Sequence, residues 1–138
     1  MAEKIGIISE GAPPAMGPYA QAVKLGDYIY LSGQLPLDKE GKHIVGKDIA
    51  PQTEQCIKNL LAILQPIGGQ LQHILKITVY LKNIKDAKVM NEVYKKHFMM
   101  NPPARSLVGI SDLPFGVLIE MDAIAHVPKG QSTGGSFF

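Results

Sequence analysis

Ile74-Leu75-Lys76-Ile77-Thr78-Val79-Tyr80-Leu81 is the stretch that decides the fold. Leu75, Ile77, Val79 and Leu81 alternate with Lys76, Thr78 and Tyr80. Successive side chains of a strand point to opposite faces, so this alternation predicts a β-strand over 74–81. A helical pattern lies on each side of it. Upstream, Ile57, Leu60, Leu61 and Leu64 recur at i, i+3, i+4 and i+7, which makes one apolar stripe along a helix. Pro51 suits the first helical position, where its missing N–H costs nothing, and Gly68-Gly69 supply a left-handed stop. Downstream, a second helix begins near Asn83, with Asp86 as a variant of the capping box. Its buried side is Met90, Val93, Tyr94 and either His97 or Phe98, and Asn101-Pro102-Pro103 stops it.

Strands fill most of the remainder. Ala104 to about Ile110 and Val117 to Ala125 close the chain as two strands, joined by a loop containing Pro114 and Gly116. Near the start, Ile5 to Ser9 is short and apolar, and Gly11-Ala12-Pro13-Pro14 and Gly17-Pro18 carry turn chemistry. Aromatic and β-branched residues then predict a strand from Asp27 to Ser32. On it Tyr28, Tyr30 and Ser32 share one face, with Ile29, Leu31 and Gly33 on the other. The polar run Asp38–Lys42 makes a turn and a first hairpin. The expected order is β-β-α-β-α-β-β with an additional strand at the start. That is one α+β domain, a mixed sheet with two helices on one face. The domain spans residues 1–128; residues 129–138, Gly/Ser-rich before Phe137-Phe138, read as a flexible C-terminal tail. The strands carry apolar residues on both sides, including Leu118 and Ile124 beside Glu120. The uncovered sheet face is therefore expected to meet another subunit.

A chain of 138 residues with 46% hydrophobic and 19% charged residues can bury a core without disulfides or metal. Its formal net charge of +2, with no Trp, five Tyr and four Phe, gives little sign of the basic, aromatic surface that nucleic-acid binders show. The single cysteine, Cys56, makes no internal disulfide and reads as a small buried hydrophobe. Met1-Ala2-Glu3-Lys4 opens no secretory pattern, and the apolar runs fall short of a membrane span. A reducing, cytoplasmic setting is expected. His43, His73, His97 and His126 lack metal-ligand spacing, and phosphate-loop, dinucleotide and Gly-x-Ser-x-Gly fingerprints are absent.

Chemistry concentrates in Pro103-Ala104-Arg105-Ser106-Leu107-Val108 and Ile119-Glu120-Met121. Arg105 and Glu120 are each embedded in an apolar strand, where a charge is costly unless paired or in contact with a ligand. If the two strands form a hairpin centred between Asp112 and Leu113, Arg105 lies opposite Glu120. A centre one residue later sets Arg105 opposite Asp122, with Glu120 diagonal on the same face. The plain structural interpretation is a cross-strand ion pair worth ~0.2–1 kcal/mol. The functional one is a guanidinium and a carboxylate a ligand's width apart.

Gly17-Pro18-Tyr19-x-Gln21-Ala22, Leu31-Ser32-Gly33-Gln34, Asn91-x-x-Tyr94, Pro103-Ala104-Arg105-Ser106 and Ile119-Glu120-Met121 occur in the order, and at about the spacing, of one family. From about Ile5 to Val127 the chain resembles the RidA family, also called YjgF or L-PSP. The resemblance implies a chorismate-mutase-like fold and a homotrimer with active sites in clefts between subunits. It also implies hydrolysis of 2-iminopropanoate, 2-iminobutanoate and their enamine tautomers to 2-oxo acids and ammonia, without metal or cofactor. Arg105 would hold the substrate carboxylate, and Glu120 would position and deprotonate the attacking water. Backbone near Ser32 and Gly33 would contact the imine, Tyr19 would close the site, and Asn91 would reach in from the second helix. Many members carry cysteine two residues after the arginine, where this chain has Leu107. On the arginine's face, Leu107 would line and narrow the pocket, altering substrate preference without abolishing activity. A non-catalytic 2-oxo acid binding or regulatory protein is the alternative. An endoribonuclease or translation inhibitor comes behind it.

Overall fold

The computed structural model describes residues 3–129. In chain order its elements are β1 (Ile5–Ile7), β2 (Ala22–Leu25), β3 (Tyr28–Gln34), α1 (Ile49–Leu64), β4 (Ile74–Leu81), α2 (Ala87–Phe98), β5 (Ala104–Gly109) and β6 (Ile119–His126). The strands form one mixed sheet in the order β1-β2-β3-β6-β4-β5. The helices cover one face, as the apolar stripes require. The flexible tail expected over 129–138 lies, beyond Lys129, outside the described residues.

Both helices begin where their sequence allows, though not where Pro51 suggests. The first starts at Ile49 behind Asp48, so Pro51 occupies its third position and still gives up no helical bond. Its buried stripe is Cys56, Ile57, Leu60, Ile63 and Leu64, with Leu61 only partly covered. Gly68 supplies the left-handed stop after a short turn of tighter helix, at φ 79°. Asn83 caps a similar turn by accepting from Lys85 N–H, and that turn runs into α2. There Met90, Val93, Tyr94 and Phe98 are buried. His97 is half-buried and meets Glu54 of α1 at 2.9 Å.

Four expectations need correction. Ala22–Leu25 is a strand the sequence pattern hid, paired with β3 through the tight turn at Gly26, φ 62°. The expected hairpin at Asp38–Lys42 survives only as a single antiparallel bridge, Leu37 to Ile44. Irregularities in β3 and β4 then reset the alternation. Leu75 is exposed while Ile74 is buried, because the pairing with β6 shifts between Ile74 and Lys76. A bulge between Leu31 and Gln34 likewise turns Gly33 to the face opposite Ile29 and Leu31.

The fourth correction matters most for the site. β5 and β6 do not form a hairpin, because β4 lies between them. The crossover through α2 brings β5 back parallel to β4, with Arg105 level with Ile77 and Leu107 with Val79. The chain then passes over the end of β4, tied by Ile110 N–H to Leu81 O at 2.9 Å and Lys82 N–H to Leu118 O at 3.0 Å. It enters the slot between β3 and β4 as an antiparallel strand, with Glu120 level with Tyr80. Buried Gln52 fixes that entry: its Oε1 accepts from Leu118 N–H at 2.8 Å and its Nε2 donates to Gly46 O at 3.0 Å. On the central strand Ile119, Met121, Ala123 and Ala125 are buried beneath the helices, while Glu120, Asp122, Ile124 and His126 occupy the open face.

Candidate active site

The open face of β6 carries the carboxylate. Glu120 is half-buried, and its side chain lies over the backbone of Gly33. A Cβ built on that glycine would overlap Glu120 Oε2 and stand 2.9 Å from Cδ and 3.3 Å from Cγ. Glycine is thus required there for close approach. Burial raises the Glu120 pKa above its ordinary value, and Asp122, two residues on along the same face, raises it further. Asp122 is itself engaged: Tyr80 Oη donates to its Oδ2 at 2.8 Å, the leading reason the Tyr80 phenol is held above its usual value.

Tyr19 and Ser32 flank this carboxylate half of the site differently. Ser32 donates its hydroxyl to Ala20 O at 2.6 Å and its N–H to Gln21 O at 2.9 Å, so it ties the preceding loop to the sheet. The loop is organised by buried Gln21. Its Oε1 accepts from Ser9 N–H at 2.7 Å, and its Nε2 reaches the carbonyls of Ser9, Ala12 and Pro13. Gln21 was not among the expected site residues, although it stands in the Gly-Pro-Tyr-x-Gln motif. Tyr19 is half exposed, its hydroxyl accepting from Met16 N–H at 3.3 Å. It shares with Gly33 a cleft of about 30 Å³ that neither Glu120 nor Arg105 lines, room for roughly one or two waters. A groove of about 740 Å³ that Tyr19 also borders is walled by Ile8, Ala12, Pro14 and Ala15 but not by Arg105 or Glu120.

Arg105 belongs to the other face. Its strand position, level with buried Ile77, directs it toward α2. There Nη1 donates to Asn91 Oδ1 at 2.7 Å, and Cζ stands 4.7 Å from the centroid of the Tyr94 ring. Asn91 therefore meets the arginine, where the sequence placed it against substrate. Leu107 does share the arginine's face, partly buried and packed against the core. The structure thus gathers Arg105, Asn91 and Leu107 into one group and Glu120, Gly33 and Tyr19 into another. Within one chain β4 separates the two groups by about two strand spacings of ~4.8 Å, on opposite faces. The cross-strand Arg105–Glu120 pair does not exist; among the described residues Lys82 pairs with Asp112, and the rings of His43 and His97 meet the carboxylates of Asp38 and Glu54.

Cys56 is fully buried, and its Sγ donates to Gln34 O at 3.3 Å. Burial pushes its thiol well above the usual range, which leaves no thiolate for nucleophilic attack. No cluster of three or more His, Cys, Asp or Glu side chains suited to a metal occurs among the described residues.

Known proteins share this architecture throughout. The family model described as Endoribonuclease L-PSP matches residues 9–127. A RutC family protein of Pyrococcus abyssi is 48% identical over 126 residues, covering 91% of this chain and 98% of its own. The chloroplastic Reactive Intermediate Deaminase A of Arabidopsis thaliana is 39% identical over 119 residues, 86% of this chain and 64% of its own. The crystal structure of the E. coli YjgF gene product superposes with a TM-score of 0.83 at 37% identity, covering 88% of this chain and 98% of that one. The chain belongs to the L-PSP family, the family also called RidA or YjgF.

Proposed function

We propose that this protein is an imine deaminase that hydrolyses 2-iminopropanoate and 2-iminobutanoate to the 2-oxo acids and ammonia. The observation that carries the proposal is a pair of charges with no ion-pair partner among the described residues. Arg105 is held by neutral groups, Asn91 and Tyr94. Glu120 lies over a glycine backbone with its pKa raised. A bare guanidinium suits a small carboxylate, which it can bind with two parallel charge-assisted hydrogen bonds. A carboxyl group with a raised pKa suits proton transfer near neutral pH.

The chemistry balances with these groups and water. The substrate carboxylate sits on Arg105, which fixes the imine carbon in place. Water oxygen adds to that carbon as Glu120 takes one of its protons and the protonated imine nitrogen becomes an amine. Glu120 then returns the proton to nitrogen. Ammonia departs as the remaining hydroxyl gives its proton to the Glu120 carboxylate and becomes the oxo group, and Glu120 then passes that proton to the ammonia, which leaves as ammonium. Asn91 acts on this sequence by holding Arg105, Gly33 by letting Glu120 approach, and Tyr19 by closing the site beside Gly33. Leu107 beside Arg105 leaves no thiol in the mechanism and shifts preference among side chains.

Arg105 and Glu120 on opposite faces support a site completed by a second copy, the arginine of one subunit meeting the glutamate of the next. We place it in a homotrimer with such interfaces, and in the cytoplasm. No helix among the described residues is long and apolar enough to cross a membrane. The test couples a threonine dehydratase to the protein and follows 2-oxobutanoate release in the presence of semicarbazide, which traps free imine. Wild type accelerates release, and Arg105→Ala and Glu120→Gln both lose the acceleration. A wild type that binds 2-oxobutanoate without accelerating its release would instead be a binding or regulatory protein.

A further inference from the structure

We propose that Tyr94 is a positioning residue for Arg105, its ring a shelf that holds the guanidinium plane ready for a carboxylate. This rests on the deaminase proposal for the identity of the ligand, though not for the contact itself. Asn91 and Tyr94 stand three residues apart on α2, so they share one helix face a turn apart. Both touch the same guanidinium. Asn91 Oδ1 accepts from Nη1 at 2.7 Å, and the Tyr94 ring lies 4.7 Å from Cζ. One contact fixes an edge of the guanidinium and the other supports a face, so its remaining N–H groups, without a partner among the described residues, can meet a ligand.

The shelf is itself supported. Tyr94 is only 7% exposed, and Phe98, one further turn along the same helix, packs with its ring centroid 4.6 Å from that of Tyr94. Phe98, Tyr94 and Arg105 thus form a stack running from the core to the edge strand. An arginine on an edge strand otherwise has several rotatable bonds to immobilise when a ligand binds. The stack removes that freedom beforehand.

The contact acts through the ring and not the hydroxyl. Tyr94 Oη is buried with no hydrogen-bond partner among the described residues. Burial keeps the phenol neutral, holding its pKa above the ordinary value despite an opposing pull from Arg105. The arginine therefore rests on a neutral aromatic face. Phenylalanine should do the same work, and without the unpaired hydroxyl it should give a more stable protein.

The experiment titrates 2-oxobutanoate into the full-length protein by calorimetry for wild type, Tyr94→Phe, Tyr94→Leu and Arg105→Ala, with thermal melts alongside. Tyr94→Phe should bind within about twofold of wild type and melt at a higher temperature. Tyr94→Leu should bind about tenfold more weakly while remaining folded. A role confined to packing would lower the melting temperature and leave the Kd of the folded fraction unchanged, which overturns the proposal. So would Tyr94→Phe binding as weakly as Tyr94→Leu, because the hydroxyl would then carry the effect. If wild type shows no 2-oxobutanoate binding, the coupled dehydratase assay alone decides the deaminase proposal, and urea unfolding of Tyr94→Leu, Arg105→Ala and the double variant decides the shelf. Non-additive losses support the contact; additive ones overturn it.

Discussion

Gly33→Ala should nearly abolish activity while leaving the fold intact, and the structure sets the size of the effect. A Cβ at this position overlaps Glu120 Oε2 and stands 2.9 Å from Cδ. Ordinary carbon contacts begin near ~3.5 Å, so the carboxylate must retreat by roughly 1 Å or more. The yielding group is the far end of a flexible side chain, and Gly33 is not among the glycines with positive φ. Backbone strain is therefore absent, and a Gly-to-Ala change at a compatible position stabilises by about 0.4–1 kcal/mol through the unfolded chain. A misplacement of about 1 Å at a reacting group costs on the order of a hundredfold in rate. That corresponds to about 2.7 kcal/mol of activation free energy. The coupled dehydratase assay reads the rate, and urea unfolding reads the stability. Unchanged kcat in a normally folded Gly33→Ala protein would show that the Glu120 carboxylate does not need this position, and would refute the proton-transfer role given to it.

Other perturbations follow from the same geometry. The folded-state pKa of Glu120 is raised by burial and Asp122, so its protonated form contributes stability below the ordinary glutamate value, and that contribution is lost as pH rises through the raised one. Glu120→Gln should therefore melt above wild type at neutral pH, with the difference disappearing as pH falls below the usual carboxylate range; melting curves across pH check it. Cys56, fully buried, should resist a thiol reagent until denaturant unfolds the chain, and activity should survive the treatment. Gln21→Ala removes four hydrogen bonds of a buried amide and should cost about 2–4 kcal/mol in urea unfolding, since buried partners lose their pairing.

Elements whose signal is local were legible in the sequence. The alternation over 74–81 is a strand with the bounds it suggests, and two amphipathic stripes are the two helices. Arg105 and Glu120 stood out because charges rarely sit in apolar strands without a purpose. What escaped is what depends on distant partners. Ala22–Leu25 is four residues long, too short for a periodic signature. The positions of Leu75 and Gly33 are set by bulges that no single-strand pattern encodes. The partner of β5 was misplaced because a short connection favours a hairpin, while burial of both edges favours inserting the apolar β6 at the centre. Tyr94 read as core, correctly, and its contact with Arg105 left no local signal because it depends on how β5 packs against α2.

The split of Arg105 and Glu120 onto opposite faces has a chemical consequence. Side by side in one chain, a guanidinium and a carboxylate would neutralise each other, and a substrate carboxylate would have to displace the pair. Separate faces prevent that, and a second subunit can then supply the missing charge across a gap wide enough for the substrate. If so, the two charges of each working site come from different chains, and inactive variants should rescue one another. Arg105→Ala and Glu120→Gln proteins, unfolded together and refolded as a mixture, would form closed rings with random membership. About a quarter of the interfaces would then pair an intact arginine with an intact glutamate. The mixture should recover roughly that fraction of wild-type activity, whereas each variant refolded alone stays inactive. No recovery from a well-folded mixture would place both charges of a working site on one chain, which the sheet order of a single subunit does not allow without rearrangement.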